Sequence, residues 1–165
     1  MKPQEVIVRR VAKEISGRQR VALGRGIPEL LADVMPPGTE VVRLDGAASN
    51  PADFSVAVIE PAEVSQAGDL CLEAGSLSPD IEVENWVAVM LQTDPHGHPR
   101  IVRRCSRPVF RPRCVSKIIT ENGVIEVTNK GLVLTEIRPG IATDQVKKET
   151  AASLHVADDL KLMEL

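Results

Sequence analysis

The sequence predicts an α/β protein with a mixed central sheet. At the amino terminus a helical pattern, a short apolar strand, a glycine loop and a second helical pattern follow one another, which is the order of an α/β unit. Towards the carboxyl end, three β-rich segments follow directly on one another. Because strands alternate with helices early and run consecutively late, we predict that the later strands are antiparallel and lie at an edge of the sheet.

The amino-terminal unit rests on periodicity and on glycine. Apolar residues from Glu5 to Ile15 recur at helical spacing, and Gly17 is suited to end that helix. Arg20–Leu23 is a short apolar strand, and Gly24–Pro28 is a loop. Pro28 fits the first position of the next helix, since its fixed φ suits a helix start.

The middle and the end of the chain read as strands separated by turn residues. An Asn-Gly pair and an Asn-Lys-Gly break separate the last three strands, and both tolerate the positive φ that tight turns require. Thr143 then begins a short helix. The predicted strands are Glu40–Leu44, Phe54–Ile59, Trp86–Leu91, Ser116–Thr120, Val124–Thr128 and Leu132–Ile137.

Composition fits one soluble globular domain over residues 1–165, with 43% apolar and 26% charged residues. Aromatic residues make up only 2%, which argues against stacking on exposed nucleic-acid bases. The amino terminus lacks the apolar region of a signal peptide, and no apolar run is long enough to span a bilayer. We therefore expect a cytoplasmic protein that binds neither membrane nor nucleic acid.

The cysteines and histidines predict neither a disulfide nor a metal site. Cys71, Cys105 and Cys114 are odd in number and show no CxxC pairing, so we expect reduced thiols. His96 and His98 lie in a turn rich in proline and glycine, and no cysteine has metal-type spacing to them. We interpret both as solvated turn histidines.

Four stretches of the chain resemble the B (β) chain of family I CoA-transferases, particularly the 3-oxoacid and acetate CoA-transferases. The longest is IIT-xx-GV-x-x-VT-x-x-GL-x-L-x-E-x-x-PG, from Ile118 to Gly140. The others are VxLGxGIPxL from Val21, AEVSQAGDL from Ala62, and PxIVxxC from Pro99. The resemblance implies an open three-layer fold with a mixed, mainly parallel central sheet, similar to CoA-transferases and ribose-phosphate isomerases.

The same resemblance implies a ligand site at Gly24, Arg25, Gly26, Ile27 and Pro28, which match the loop that borders the family's active site. From spacing alone, the loop is either a strand-to-helix turn that needs glycine for its geometry or an anion site at a helix start. The implied substrate is acyl-CoA, with no tightly bound cofactor. The implied partner is an A-type chain or another copy of this chain.

The resemblance breaks between Leu44 and Asp53. The family ordinarily has several dozen more residues there, including a Ser-Glu-Asn-Gly motif whose glutamate attacks the acyl-CoA, whereas this chain has DGAASNPA. Asp45 is the nearest remaining carboxylate, and it is either a turn aspartate or a weak candidate for the nucleophile. Glu121-Asn122-Gly123 spells the active-site tripeptide but lies in a predicted hairpin, so we interpret Glu121 as an exposed turn charge.

Function therefore remains open among three hypotheses. The chain is a shortened B-type component of an active transferase, with Asp45 or a partner's carboxylate as nucleophile, or a CoA-thioester hydrolase that activates water. Alternatively, it is a non-catalytic scaffold or regulator of an A-type chain. The segment from Arg100 to Lys117 holds seven basic residues and no acidic one. It is interpreted as a solvated strand edge, a contact to CoA phosphates or a patch for a partner chain, and edge or partner contact is favoured.

Overall fold

The computed structural model describes residues 1–17, 20–44, 54–72 and 83–165. These residues form helices α1 (Pro3–Glu14) and α2 (Thr143–Lys148) and a 3-10 helix at Ile27–Asp33. None of the helices in these ranges is long and apolar enough to cross a membrane. The strands are β1 (Arg20–Leu23), β2 (Glu40–Arg43), β3 (Phe54–Ile59), β4 (Glu63–Ser65), β5 (Leu70–Cys71), β6 (Val83–Val89), β7 (Ile101–Val102), β8 (Val109–Arg111), β9 (Val115–Ile119), β10 (Gly123–Thr128), β11 (Gly131–Ile137) and β12 (Leu154–Leu162).

The central sheet is mixed and mainly parallel, as predicted. Its eight strands lie in the order β12-β11-β10-β9-β6-β3-β1-β2. The five strands from β2 to β9 in this order are mutually parallel, whereas β10 is antiparallel to both β9 and β11. After α2, the chain adds β12 as a parallel edge strand beside β11, which the sequence did not predict. The antiparallel hairpins are therefore one strand away from the edge.

The sheet is the middle of three layers, because alternate residues of each strand face opposite sides. Val56 and Val58 of β3 pack with α1 and the 3-10 helix. Ala57 and Ile59 face the other way and pack with a second sheet of four short strands, in the order β7-β4-β5-β8, and with α2. This confirms the open three-layer architecture.

A buried ion network fastens α1 to the far half of the sheet. Arg10 is 8% exposed and donates two hydrogen bonds to Glu136 of β11, at 2.9 and 2.6 Å. It also contacts Glu14 at 3.1 Å, and Glu14 accepts a 2.7 Å bond from Lys117 of β9. Burial pushes the pKa of Glu14 upwards, but the bonds and charges of Lys117 and Arg10 outweigh burial and lower it.

The cysteines differ from the sequence-based expectation. A disulfide joins Cys71 at the end of β5 to Cys105 beyond β7, so these two are not reduced thiols in this structure. β4 pairs with both β5 and β7, and this brings Cys71 and Cys105 together although they are 34 residues apart in the chain. Nothing in the spacing of the two cysteines indicated that they form a disulfide. Cys114 is free, and burial raises the pKa of its thiol to about 11.

Candidate functional site

The candidate site lies at the carboxyl edge of the parallel strands. β1, β3, β6 and β9 all end at this edge, because neighbouring parallel strands run in one direction. The segments that follow them are the Gly24–Pro28 loop, Glu60, Gln92 and Glu121. Open α/β sheets bind ligands in the crevice outside these strand ends.

The Gly24–Pro28 loop follows β1 and is held by its neighbours. The amide of Gly24 donates to the carbonyl of Val58 at 2.9 Å, which continues the β1–β3 pairing. Gly26 has a φ of +88°, a conformation that glycine adopts without strain. Gly24, Ile27 and Pro28 are buried, whereas Arg25 and Gly26 are exposed. Of the five predicted binding residues, Arg25 and Gly26 are thus the ones that face solvent.

The carboxylate of Glu60 occupies the inner side of this loop. Its Oε1 accepts a hydrogen bond from the backbone N–H of Ile27 at 2.9 Å, and its Oε2 lies 3.6 Å from Nη2 of Arg100. The Arg100 guanidinium also donates to the carbonyls of Pro61 and Ala62. The Glu60 side chain keeps 26% of its surface exposed. Sequence reasoning missed Glu60, although its position directly after a buried strand was a usable signal.

A groove of about 600 Å³ opens beside Glu60 and Arg100. This volume lies within the usual range for small-molecule sites. Leu91 and Pro95 line it together with Asp94 and His98, and Oδ2 of Asp94 lies 3.4 Å from Nδ1 of His98. The backbone amide of His98 donates to Asp94 and lowers the pKa of that carboxyl. His96 and His98 are exposed in this turn, in agreement with the sequence-based interpretation.

Glu121 is not the exposed turn charge that the sequence suggested. Its side chain is half-buried and accepts a hydrogen bond from the backbone N–H of Gln92 at 2.8 Å. Burial raises the pKa of Glu121, against the charge of Arg100, which lowers it. The next residue, Asn122, is 7% exposed and donates to Glu149 at 3.0 Å. The interpretation failed because this turn follows a parallel strand and therefore packs against other segments at the carboxyl edge of the sheet.

Two other predicted features have different outcomes. Asp45, the weak candidate nucleophile, lies outside the described residues. The basic segment from Arg100 to Lys117 is partly used within the chain: Arg100 pairs with Glu60, Lys117 pairs with Glu14, and the Arg111 guanidinium lies 5.5 Å from the Trp86 ring centre. Arg103 and Arg104 are exposed.

No protein-family model matches the chain. Among curated proteins, it is 27% identical to the beta chain of a probable coenzyme A transferase of Bacillus subtilis, over 93% of this chain and 94% of the relative. It is 25% identical to the B chain of the succinyl-CoA:3-ketoacid coenzyme A transferase of Helicobacter pylori, over 93% of this chain and 99% of the relative. The chain is thus similar to CoA-transferase B chains over most of its length.

Solved structures have the same fold as this chain. An acyl-CoA transferase of Escherichia coli O157:H7 superposes with a TM-score of 0.75 at 16% identity, covering 99% of this chain and 43% of that one. Glutaconate coenzyme A-transferase of Acidaminococcus fermentans gives 0.74 at 14% identity, covering 99% and 89%. A variant of the decarboxylase AibA/AibB gives 0.71 at 14% identity, covering 99% and 90%.

The alignment with the Bacillus protein contains many positions that this chain does not fill. The match to the Bacillus protein runs over 205 aligned positions, 40 more than the 165 residues of this chain. At least that many positions of the alignment therefore have no residue of this chain opposite them. The sequence-based expectation of a shortened B-type chain agrees with this length difference.

Proposed function

We propose that this chain is the B-type half of a CoA-transferase-like assembly, with acyl-CoA as its substrate and an A-type chain as its partner. The observation that carries this proposal is the groove at the carboxyl edge of the sheet, in a chain that is similar to CoA-transferase B chains over 93% of its length. Glu60 lines this groove and accepts a hydrogen bond from Ile27 of the Gly24–Pro28 loop. The reaction class is CoA transfer between an acyl-CoA and a carboxylic or 3-oxo acid.

Within this proposal, the Gly24–Pro28 loop forms the rim of the CoA site. Its exposed members are Arg25 and Gly26. The amides of Gly26 and Ile27 already donate to carboxylates of this chain, Glu29 at 3.2 Å and Glu60 at 2.9 Å. Phosphate binding by these two amides would therefore require the carboxylates to move. We assign the contact with CoA to the Arg25 side chain, because a guanidinium binds phosphate through charge-assisted hydrogen bonds.

The chain is proposed to be one domain over residues 1–165, with the family's active-site segment missing between about residues 45 and 53. The second candidate function, a non-catalytic scaffold for an A-type chain, is favoured by the same length difference of at least 40 aligned positions. A scaffold would bind the A-type chain without binding acyl-CoA by itself.

Calorimetric titration with CoA separates the two functions. We expect CoA to bind the full chain, and Arg25→Ala to weaken binding by about tenfold, the effect of one lost charge-assisted contact of about 1.4 kcal/mol. Lys161→Ala is the control, because Lys161 is also an exposed cation but lies on β12, at the end of the strand order opposite to β1 and β2. Association with an A-type chain without any binding of CoA would favour the scaffold.

A further inference from the structure

Glu60 is the carboxylate best placed for covalent chemistry in the groove. It directly follows β3, an interior strand of the sheet, and lies between the Gly24–Pro28 loop and Arg100. We propose that Glu60 is the catalytic nucleophile of this chain, and that it attacks the thioester carbonyl of the acyl-CoA. This inference rests on the proposed function, because it requires an acyl-CoA in the groove.

The other described carboxylates of the groove are occupied by hydrogen-bond donors. Glu63 accepts three bonds through Oε1, from the amide and hydroxyl of Ser106 and from the amide of Arg107, at 2.7 to 3.1 Å. Asp94 accepts bonds from two backbone amides through Oδ1 and pairs with His98 through Oδ2. Both therefore act as structural acceptors that hold turns.

Glu60 is the carboxylate of the groove that has one oxygen fixed by a backbone amide and the other beside an arginine. Oε1 is fixed by the Ile27 amide, whereas Oε2 accepts no hydrogen bond from the described residues and has Arg100 at 3.6 Å. An oriented carboxylate with one available oxygen is what attack on a carbonyl carbon requires. The partly exposed side chain, 26% accessible, opens onto the groove.

Arg100 is suited to stabilise the charge that develops during this attack. Its guanidinium is anchored by the carbonyls of Pro61 and Ala62, so its position does not depend on Glu60 alone. When Oε2 of Glu60 bonds to the thioester carbon, the former carbonyl oxygen becomes an oxyanion beside Arg100. A cation that is already in position lowers the barrier without having to reorganise.

The covalent steps balance without an oxidant or a reductant. Oε2 of Glu60 attacks the thioester carbon, the carbon–sulfur bond breaks, and the CoA thiolate leaves a mixed anhydride on Glu60. The thiolate then attacks the Glu60 carboxyl carbon, releases the donor acid as its carboxylate, and leaves CoA bound to Glu60 as a thioester. The acceptor carboxylate reverses both steps and regenerates Glu60.

The test is to locate the covalent adduct. The full chain is incubated with succinyl-CoA, with and without an A-type CoA-transferase chain, and treated with borohydride, which reduces a glutamyl thioester to an alcohol. Peptides are then sequenced by mass spectrometry. We expect the modification at position 60, and its loss in Glu60→Gln, whose amide oxygen still accepts a bond from the Ile27 N–H. Glu40→Gln is the matched control. Glu40 also pairs with an arginine, at 3.0 Å, but it is the first residue of β2 and therefore lies at the amino ends of the parallel strands, away from the groove.

Titration with CoA on the same proteins distinguishes the two levels of failure. If CoA binds but the adduct forms on another carboxylate such as Asp45, or no adduct forms in either mixture, the role of Glu60 is refuted and the proposed function stands. If CoA binds neither the wild-type chain nor its mixture with the A-type chain, both fail. Modification at Glu60 that persists in Glu40→Gln and disappears in Glu60→Gln supports the assignment.

Discussion

The contact between Gly26 and Glu60 makes a sharp prediction about the Gly24–Pro28 loop. Gly26 has a φ of +88°, and a Cβ placed on it would collide with Oε1 of Glu60. Gly26→Ala therefore adds backbone strain of about 1–3 kcal/mol. It also displaces the carboxylate from the Ile27 amide, and a hydrogen bond to a charged group contributes about 1.5–3 kcal/mol. Because Glu60 is partly exposed, we take the lower end of both ranges and expect a total loss of about 2.5 kcal/mol.

Gly38→Ala separates the two contributions. Gly38 has nearly the same φ, +90°, but a Cβ there meets no atom within 4 Å, so this variant measures the strain of a positive φ without a collision. Urea unfolding of both variants gives the difference, and we expect Gly26→Ala to be less stable than Gly38→Ala by about 1.5 kcal/mol. In a Glu60→Ala background that difference disappears, since the collision partner is gone. Gly26→Val should act in the same direction as Gly26→Ala and also weaken CoA binding.

Equal destabilisation by Gly26→Ala and Gly38→Ala would refute this reasoning. So would a difference that persists unchanged in Glu60→Ala, because the cost would then come from the backbone and not from the carboxylate.

Three further predictions concern groups outside the loop. Burial holds the pKa of Glu121 above its unfolded value of 4.5, so the protonated side chain contributes stability that is lost as the pH rises through the folded pKa. Glu121→Gln should therefore stabilise the protein more at pH 7 than at pH 4, and an equal effect at both pH values in urea unfolding would contradict this. Glu136→Gln leaves Arg10 buried against a neutral amide and should cost about 3 kcal/mol, whereas a loss below about 0.5 kcal/mol would show that the pair is immaterial. Iodoacetamide at pH 8 should label Cys114 slowly in the native chain and rapidly in urea, with all three cysteines labelled only after reduction; three labelled thiols without reductant would exclude the disulfide.

The sequence predicted those parts of the fold that local patterns specify. Apolar periodicity located α1 to within two residues at its start, and the Asn-Gly turn located β9 and β10. The four-stranded sheet was missed because its strands contain two or three residues each, too few to show a period of two. Pro28 was predicted at the first position of a helix, but it is the second residue of a seven-residue 3-10 helix that begins at Ile27.

The candidate site was harder to predict because it depends on strand order. The Ile27–Glu60 contact joins residues 33 positions apart and exists because β3 lies beside β1. No local signal reports which strands are neighbours. The resemblance pointed to Asp45, the carboxylate nearest to the place of the family's glutamate, and Glu60 was not considered. The unknown strand order also explains the error at Glu121. Its local sequence is that of an exposed turn, but β9, the strand before it, ends at the carboxyl edge beside Gln92.

The strand order also shows why a shortened connection is compatible with this fold. β2 is the outermost strand of its half of the sheet, and the chain passes from its end to β3, two positions inward, through residues 44–53. Ten extended residues span up to about 33 Å. Crossing two strand spacings of about 4.8 Å each and returning along a six-residue strand needs less than that. The order of the strands β1, β3, β6 and β9 is therefore compatible with a connection of this length between β2 and β3. Glu60 is the groove carboxylate that directly follows one of these interior strands, and this position supports the role that we propose for it.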